Sequence, residues 1–411
     1  MAGMDDSRRK LLMAAAAGFC GAAFCGAASP APPPKARVDA VTAASQPRRP
    51  TGLSREIYSR KALYGVALPD GRVRCTLCPH NCLLSENAVG QCRTRANRHG
   101  YLITKAYGLT CIAAYPASNN HSPHVYHALK QPLMRVGLTG CSLRCGFCLV
   151  GNTVQCDPEE LETPYTLPET VIRETQKYNC SAIAFTFNEP TNNYEYTITL
   201  SKMAKLKKIK SFISTNGYVN IKPIQQLSEY ISGAAIGIKG FTENNYLKYT
   251  NGSLKSVLDS TIAMKKKNIT VEIYYVMLPT LNDSSTEITN MGKWVRDYIG
   301  PYTAIYLMRY YPSYKMKNLP QTPLPTLMSA KKILLALGLK FVNIYLGNFL
   351  GTDDYLNNPQ FDTTVLCPYC GSVLLRYVRK DGVPVPVSGV EHSRCRACHK
   401  PIPGIAGILE V

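Results

Sequence analysis

Acidic side chains are scarce in this 411-residue chain, which has 27 Asp and Glu against 47 Lys and Arg and a formal net charge of +20. A field of this sign attracts anions such as nucleic acid or anionic lipid, but it identifies neither. Much of the charge falls in runs at residues 205–210 and 265–267, on segments with a helical pattern. Aromatic residues do not interleave with these runs, so solvated helix faces are favoured and nucleic acid stays a weakly supported partner.

Strong hydrophobicity is lacking in the uncharged stretch from Leu11 to Ala28, which is dominated by Ala and Gly and would insert weakly into a bilayer. Arg8 and Arg9 precede this stretch and small residues end it, a pattern that resembles a twin-arginine export signal. We expect residues 1–28 to direct export to the periplasm, with a membrane-anchored or cytoplasmic protein as the alternatives. Residues 29–56, rich in Pro and Ala, are expected to form a disordered linker.

Cysteine is abundant instead, with 16 residues. Disulfides would be typical of a small secreted domain, but most of these cysteines fall into three tight clusters, which indicates metal binding. The clusters are Cys75, Cys78, Cys82 and Cys92, then Cys141, Cys145 and Cys148, and finally Cys367, Cys370, Cys395 and Cys398.

The central cluster is a C-x3-C-x2-C triplet that follows an apolar segment. Three thiolates cannot complete a tetrahedral zinc site or saturate a four-iron cluster, so one metal position stays open. A zinc knuckle would need a fourth ligand, and Cys156 is the nearest candidate, on an irregular stretch. With Phe147 directly before the last cysteine, the triplet resembles the signature of radical S-adenosylmethionine (SAM) enzymes. That resemblance implies a 4Fe–4S cluster whose open iron chelates SAM and whose electron cleaves it to a 5′-deoxyadenosyl radical.

Short apolar runs alternate with amphipathic stretches through the middle of the chain. Such repeated units predict right-handed crossovers and a parallel sheet curled into a partial (β/α) TIM-like barrel, an α/β fold. We place this barrel at residues 126–351, between an N-terminal cysteine-rich module at 57–125 and a C-terminal metal ribbon at 362–411. The predicted strands cover residues 133–138, 182–187, 210–214, 234–238, 270–277, 304–308 and 341–345.

Polar residues follow several of these strands directly, where the chemistry of such barrels takes place. Glu189 follows the second strand, and the radical SAM resemblance implies that it holds the methionine ammonium of SAM; the alternative is a helix-terminus residue. Thr215 and Asn216 follow the third strand, where they would contact SAM or simply form a turn. Lys239 follows the fourth and is expected near the SAM carboxylate or the substrate.

Ordered motifs from Gly71 to the C-terminus make the chain resemble the radical SAM enzyme of the AmmeMemoRadiSam system, a relative of pyruvate formate-lyase activating enzymes. We expect an external low-potential electron donor and a Memo-like system partner. The substrate is unknown, and a peptide or protein is our general expectation, ahead of nucleic acid. Activation of a glycyl-radical enzyme and a non-enzymatic Fe–S electron carrier are the alternatives. The motifs include residues 74–82, 90–92, 185–191, 278–283, 309–312 and 347–348.

The chain departs from that family at two positions near the expected site. Gly237 stands where the family usually has an acidic residue before Leu-Lys, and Thr280 stands where the family has glycine. A longer segment, 351–365, also precedes the last cysteines. We expect these differences to affect the substrate more than SAM cleavage, because the triplet and Glu189 are present.

The two flanking clusters each supply four thiolates. For Cys75, Cys78, Cys82 and Cys92, the spacing fits either zinc or a second Fe–S cluster. The pair of C-x2-C knuckles formed by Cys367, Cys370, Cys395 and Cys398 predicts a zinc-ribbon or rubredoxin-like module, with zinc favoured over iron. So small a module would depend on its metal for folding.

Overall fold

The computed structural model describes residues 59–117, 133–161, 163–345, 365–367, 369–380, 383–391 and 394–402. The expected leader and linker lie outside these residues, as do Gly347, Asn348 and residues 351–364. Within the described part of the chain, no helix is long and apolar enough to cross a membrane.

A single eight-stranded sheet organises the middle of the chain. Its strands run in the order β14-β13-β12-β11-β10-β9-β8-β7, and β8 to β14 are parallel while β7 is antiparallel to β8. The bounds are β7 (Thr110–Ala117), β8 (Leu133–Leu138), β9 (Ala182–Thr186), β10 (Lys210–Thr215), β11 (Gly233–Ile238), β12 (Thr270–Met277), β13 (Ala304–Arg309) and β14 (Phe341–Tyr345).

All seven predicted parallel strands are present, each within one residue of its expected ends. They are recognisable because both faces are buried: every residue of β8 and β11 is buried. Strand β7 was not predicted. It contains Pro116, which removes a donor and is tolerated at a sheet edge.

Helices connect successive parallel strands. Several begin at capping hydroxyls, since Thr242 accepts a hydrogen bond from Asn245 N and Ser253 accepts one from Ser256 N. The helices are α1 (Gly151–Val154), α2 (Pro168–Lys177), α3 (Tyr194–Leu206), α4 (Ile221–Leu227), α5 (Glu243–Thr250), α6 (Leu254–Lys266), α7 (Ser285–Trp294) and α8 (Leu324–Ala336).

The N-terminal module contains two small antiparallel sheets and packs on the main sheet. Arg95 joins the two units, because its Nη2 donates to both carboxylate oxygens of Glu195 on α3, at 2.7 and 2.8 Å. The backbone N of Asn220 also donates to Leu77 O at 3.0 Å. The strands are β1 (Arg60–Lys61), β2 (Gly65–Ala67), β3 (Val73–Cys75), β4 (Leu83–Leu84), β5 (Arg95–Arg98) and β6 (Tyr101–Thr104).

The C-terminal module packs against the opposite face of the sheet from α6, α7 and α8. Side chains alternate along a strand, so Ile273 packs with the helices while Tyr274 contacts the module. Ala304 and Phe341, the first residues of β13 and β14, belong to this contact, which places the module toward the amino ends of the strands. Its strands are β15 (Val365–Leu366), β16 (Val373–Lys380), β17 (Val383–Ser388), β18 (Val390–Glu391) and β19 (Arg394–Cys395).

Candidate functional site

The loop that carries Cys141, Cys145 and Cys148 leaves the carboxyl end of β8. Gly140 begins it with φ +79°, and a Cβ at this position would lie 2.3 Å from Thr94 Cγ2 and 2.8 Å from Cys92 O. Only glycine combines this backbone conformation with so close an approach. The cysteine loop is therefore pressed directly against the N-terminal module.

Neighbouring loops hold the middle of the cysteine loop in place. Arg144 N donates to Thr250 O at 2.7 Å, and Gly146 N donates to Tyr249 O at 3.2 Å. Ser313 Oγ donates to the carbonyl of Phe147 at 3.0 Å, and the Phe147 ring is buried in the main core. The aromatic residue before the last cysteine thus anchors the loop in this structure.

Glu189 lies at the start of the loop after β9 and is 1% exposed. Its Oε1 accepts hydrogen bonds from Thr191 N at 3.0 Å, Thr191 Oγ1 at 2.7 Å and Thr215 Oγ1 at 2.8 Å. Its Oε2 accepts from Asn216 N at 2.6 Å. Burial raises the pKa of Glu189, and these hydrogen bonds oppose that rise. The carboxylate therefore ties the loop after β9 to the loop after β10.

Asn216 extends this network to the cysteines. Its Nδ2 lies 3.5 Å from Cys141 Sγ and 3.5 Å from Ser142 Oγ, while its Oδ1 accepts from Tyr218 N at 2.7 Å. An N–H group beside a ligand sulfur is the kind of contact that tunes a metal centre. Thus Glu189, Thr215 and Asn216 lie together with Cys141.

Lys239 follows β11 and turns back over the sheet. Its Nζ lies 2.7 Å from where a Cβ on Gly237 would stand, so the ammonium occupies the space beside that glycine. The charge of Lys239 opposes the rise in the pKa of Cys145 and of Cys148. Gly237, which stands where the family has an acidic residue, therefore leaves room for the Lys239 side chain. The ammonium lies on the side of the sheet that the cysteine loop faces.

Burial raises the pKa of all three central thiols, to about 12 for Cys145, whereas Glu189 adds to the rise at Cys141. Thiols in this state are neutral until a metal replaces their protons. Cys141 and Cys148 are partly exposed, which leaves this edge open to a metal cluster. Three sulfurs and a nearby cation fit a 4Fe–4S cluster with one unprotected iron better than a closed zinc site.

Two asparagines brace the cysteine loop, a role that sequence reasoning assigned to neither of them. Asn188 Oδ1 accepts from Leu138 N at 2.9 Å, and its Nδ2 donates to Thr139 O at 3.2 Å. Asn193 Nδ2 donates to Thr139 O at 2.6 Å. Asn188 lies inside the motif at 185–191, directly before Glu189, whereas Asn193 follows that motif. Phe187 has φ 73°, a left-handed conformation that is unusual for an aromatic residue and that the sequence did not indicate.

In the N-terminal cysteine set, Cys75, Cys78 and Cys92 are buried and Cys82 is half-buried. Burial raises the pKa of Cys75, of Cys78 and of Cys82, and mutual repulsion among the thiolates adds to it. Cys75 N donates to Cys82 O at 2.9 Å, so these two cysteines are adjacent in the fold. His80, which lies between Cys78 and Cys82 in the sequence, contacts Ser142 O through Nε2 at 2.8 Å.

The C-terminal cysteines form a tight group. All four sulfurs lie within 4.8 Å of one another, and both the Cys367–Cys398 and the Cys370–Cys395 sulfur pairs are 3.7 Å apart. Each knuckle is closed by a backbone hydrogen bond, Gly371 N to Cys367 O at 2.9 Å and His399 N to Cys395 O at 2.8 Å. This group could hold one metal ion.

Comparison with known proteins gives three results. The radical SAM superfamily profile matches residues 136–290. An uncharacterized protein of Methanocaldococcus jannaschii is 31% identical over 345 residues, covering 84% of this chain and 98% of that protein. A pyruvate formate-lyase-activating enzyme of Clostridium pasteurianum is 24% identical over 160 residues, covering 38% of this chain and 67% of that enzyme.

Among solved structures, a radical SAM methyltransferase from Sphaerobacter thermophilus matches with a TM-score of 0.43 and 12% identity, over 70% of this chain and 76% of that one. The superfamily profile covers β8 to α7, including the central cysteine loop, Glu189 and Lys239. Such membership implies a 4Fe–4S cluster and SAM, and it supports an enzyme with radical chemistry. Residues 136–290 of this chain therefore form a radical SAM superfamily domain.

Proposed function

We propose that the protein cleaves SAM reductively and uses the resulting radical to abstract hydrogen from a substrate. The observation that carries this proposal is the placement of three thiols, Lys239 and the Glu189 network at one edge of a parallel sheet. A 4Fe–4S cluster bound by Cys141, Cys145 and Cys148 would supply the electron. The partial barrel expected from the sequence accords with the seven consecutive parallel strands.

The surrounding residues would bind and orient SAM. Lys239 is suited to the SAM carboxylate, because its ammonium lies on the cysteine side of the sheet. Glu189 already accepts four hydrogen bonds from the protein, so binding the SAM ammonium directly would require it to exchange one of them. Its primary role is to hold Thr215 and Asn216 in position for SAM.

The test of the function is anaerobic reconstitution with iron and sulfide, followed by dithionite and SAM, with 5′-deoxyadenosine as the readout. Formation of 5′-deoxyadenosine is expected. Its absence from protein with an intact central cluster would contradict the proposal and favour an electron carrier.

Glu189→Gln tests the positioning role. An amide has one acceptor oxygen where the carboxylate has two, so at least one of the four donors would lose its partner. We expect SAM binding to weaken by roughly tenfold and the protein to lose about 1–3 kcal/mol of stability. Glu169→Gln, on the exposed side of α2, is a control of the same chemistry. Equal SAM binding by the Glu189→Gln and Glu169→Gln variants would argue against a positioning role for Glu189.

The substrate is a peptide or protein in the AmmeMemoRadiSam reading, with a Memo-like partner and an external low-potential donor. Activation of a glycyl-radical enzyme is the second candidate, supported by the identity to the clostridial activating enzyme. Genomic neighbours distinguish the two, since a Memo-like gene favours the first and a glycyl-radical gene favours the second. The C-terminal cysteines would form a structural zinc ribbon.

Export by the twin-arginine route accompanies this function, because cluster assembly in the cytoplasm would precede transport of the folded protein. Replacing Arg8 and Arg9 together by Lys should retain the unprocessed precursor inside the cell with its cluster bound. Cell fractionation checks this. A wild-type protein found wholly in the cytoplasm with Met1 intact would contradict export.

A further inference from the structure

We propose that Cys75, Cys78, Cys82 and Cys92 bind an iron–sulfur cluster through which electrons reach the central site. This inference rests on the proposed function, because it assigns the electron's point of entry. It also decides between the two metals that the spacing of these cysteines left open.

The separation of the sulfurs favours a cluster over one zinc ion. With a Zn–S bond of about 2.3 Å, the sulfurs of a regular tetrahedron lie about 3.8 Å apart. The C-terminal cysteines have this separation, at 3.7 Å for two pairs. Within the described residues, which include all four N-terminal cysteines, no three of those four sulfurs lie within 4.8 Å of one another. Thiolates of an Fe–S cluster bind different irons and are held farther apart.

The central triplet shares this wider spacing. Its three sulfurs also do not gather within 4.8 Å in the described part of the chain. Among the described residues, only the third cysteine set therefore has its sulfurs spaced for a single ion.

Arg95 provides a second, independent observation. Its side chain is 1% exposed, and its Nε is buried without a hydrogen-bond partner among the described residues. Arg95 adjoins the cysteine set, because a Cβ on Gly90 would lie 3.6 Å from the carbonyl oxygen of Arg95 and 3.7 Å from Cys82 Sγ. A buried N–H donor without an acceptor is costly. A cluster sulfide or thiolate would accept this hydrogen bond.

Direct contacts connect this cysteine set to the central loop. The carbonyl of Cys92 stands 2.8 Å from where a Cβ on Gly140 would be, and Gly140 precedes Cys141. Arg144 Nη2 donates to Gln91 O at 3.0 Å, and His80 contacts Ser142 O. The two cysteine loops thus lie in direct contact at Gly140, beside the Thr94 side chain.

The redox step is a single-electron transfer. A reduced ferredoxin-type donor would lose one electron to the N-terminal cluster, which would then be oxidised again as the central cluster accepts that electron. No bond forms or breaks in this step. The C-terminal cysteines are poorly placed for it, because their module packs at the amino ends of the strands.

Metal analysis of the full-length protein after anaerobic reconstitution is the first test. Two four-iron clusters would give about eight irons per chain. Replacing Cys78 and Cys82 together by Ala should remove about half of the iron, whereas Cys180→Ala, a buried thiol outside the three sets, should remove none. Zinc that disappears with the Cys78 and Cys82 replacement, in a wild type with about four irons, would overturn the proposal.

Electron paramagnetic resonance of the dithionite-reduced wild type is the second test and requires no variant. Two adjacent reduced clusters should show magnetic interaction, which should vanish when Cys145 and Cys148 are replaced by Ala. With reduced ferredoxin as donor, reduction of the central cluster should be at least tenfold slower in the Cys78 and Cys82 variant. An unchanged rate, or a spectrum of isolated clusters in the wild type, would overturn the relay. If the relay is overturned but the protein still forms 5′-deoxyadenosine with dithionite as reductant, the proposed SAM cleavage stands.

Discussion

The two flanking cysteine sets have the same number of thiols but different surroundings. Cys75 and Cys78 belong to the main core and Cys82 packs against it, whereas Cys367 and Cys395 belong to a small separate core on the other face of the sheet. The first set contacts the loop of the central cysteines, and the second lies toward the amino ends of the strands.

If the proposals above hold, ligand count alone does not determine what a cysteine set does. A set with closely spaced sulfurs and little core around it depends on its metal for folding. A set inside a large core receives its structure from packing, so its metal is free to serve chemistry. Breaking one set at a time therefore separates structural from redox roles.

Cys145→Ala should have the largest effect, because it removes one of three ligands at the proposed SAM-cleaving centre. We expect 5′-deoxyadenosine formation to be abolished, while the metal content of the C-terminal set stays at the wild-type level. Product analysis and metal analysis of the same sample check both parts. Retained SAM cleavage would show that Cys145 is not a ligand.

Cys370→Ala should have the converse effect. Loss of one of four ligands should lower zinc by about one ion per chain and unfold the C-terminal module, because a structural zinc supplies folding free energy. Central iron and SAM cleavage should be unchanged. Loss of central iron from a Cys370→Ala protein whose main domain remains folded would contradict the grouping of these cysteines into separate sites.

Much of the main sheet could be predicted because parallel strands buried on both faces give short apolar runs. The expected site residues after these strands also converge, as Glu189, Thr215 and Asn216 show. The contacts among modules could not be predicted. They depend on close approach between residues distant in sequence, such as Gly140 with Thr94, and no local pattern encodes such a pair.

The structure shows the backbone conformation at one of the positions where the chain departs from the family pattern. Thr280, where the resemblance expects glycine, has φ 66° and is exposed. A β-branched residue is strained in this left-handed conformation. The departure therefore has a backbone cost that composition and periodicity do not show.

Gly140→Ala and Gly371→Ala form a matched pair for the contact between modules. Both glycines have positive φ, at 79° and 73°, so each substitution should cost about 1 kcal/mol through the backbone. At Gly140 the new Cβ would also collide with Thr94 and Cys92 O, whereas nothing lies within 4 Å at Gly371. We expect Gly140→Ala to destabilise the protein by roughly 2 kcal/mol more than Gly371→Ala, measured by denaturant unfolding. Equal losses would show that the modules do not pack tightly at Gly140.

His399→Gly should produce the smallest effect and tests whether the two C-terminal knuckles are equivalent. Gly371 and His399 directly follow the second cysteine of their knuckles, with φ 73° and 57°. Glycine already occupies this left-handed position in one knuckle, so placing it in the other should stabilise the metal-loaded module by about 0.5 kcal/mol. The exposed His399 side chain loses little, because Arg394 donates to its backbone carbonyl. A higher unfolding temperature of the zinc-loaded protein is expected, and a lower one would mean that the imidazole itself supports the knuckle.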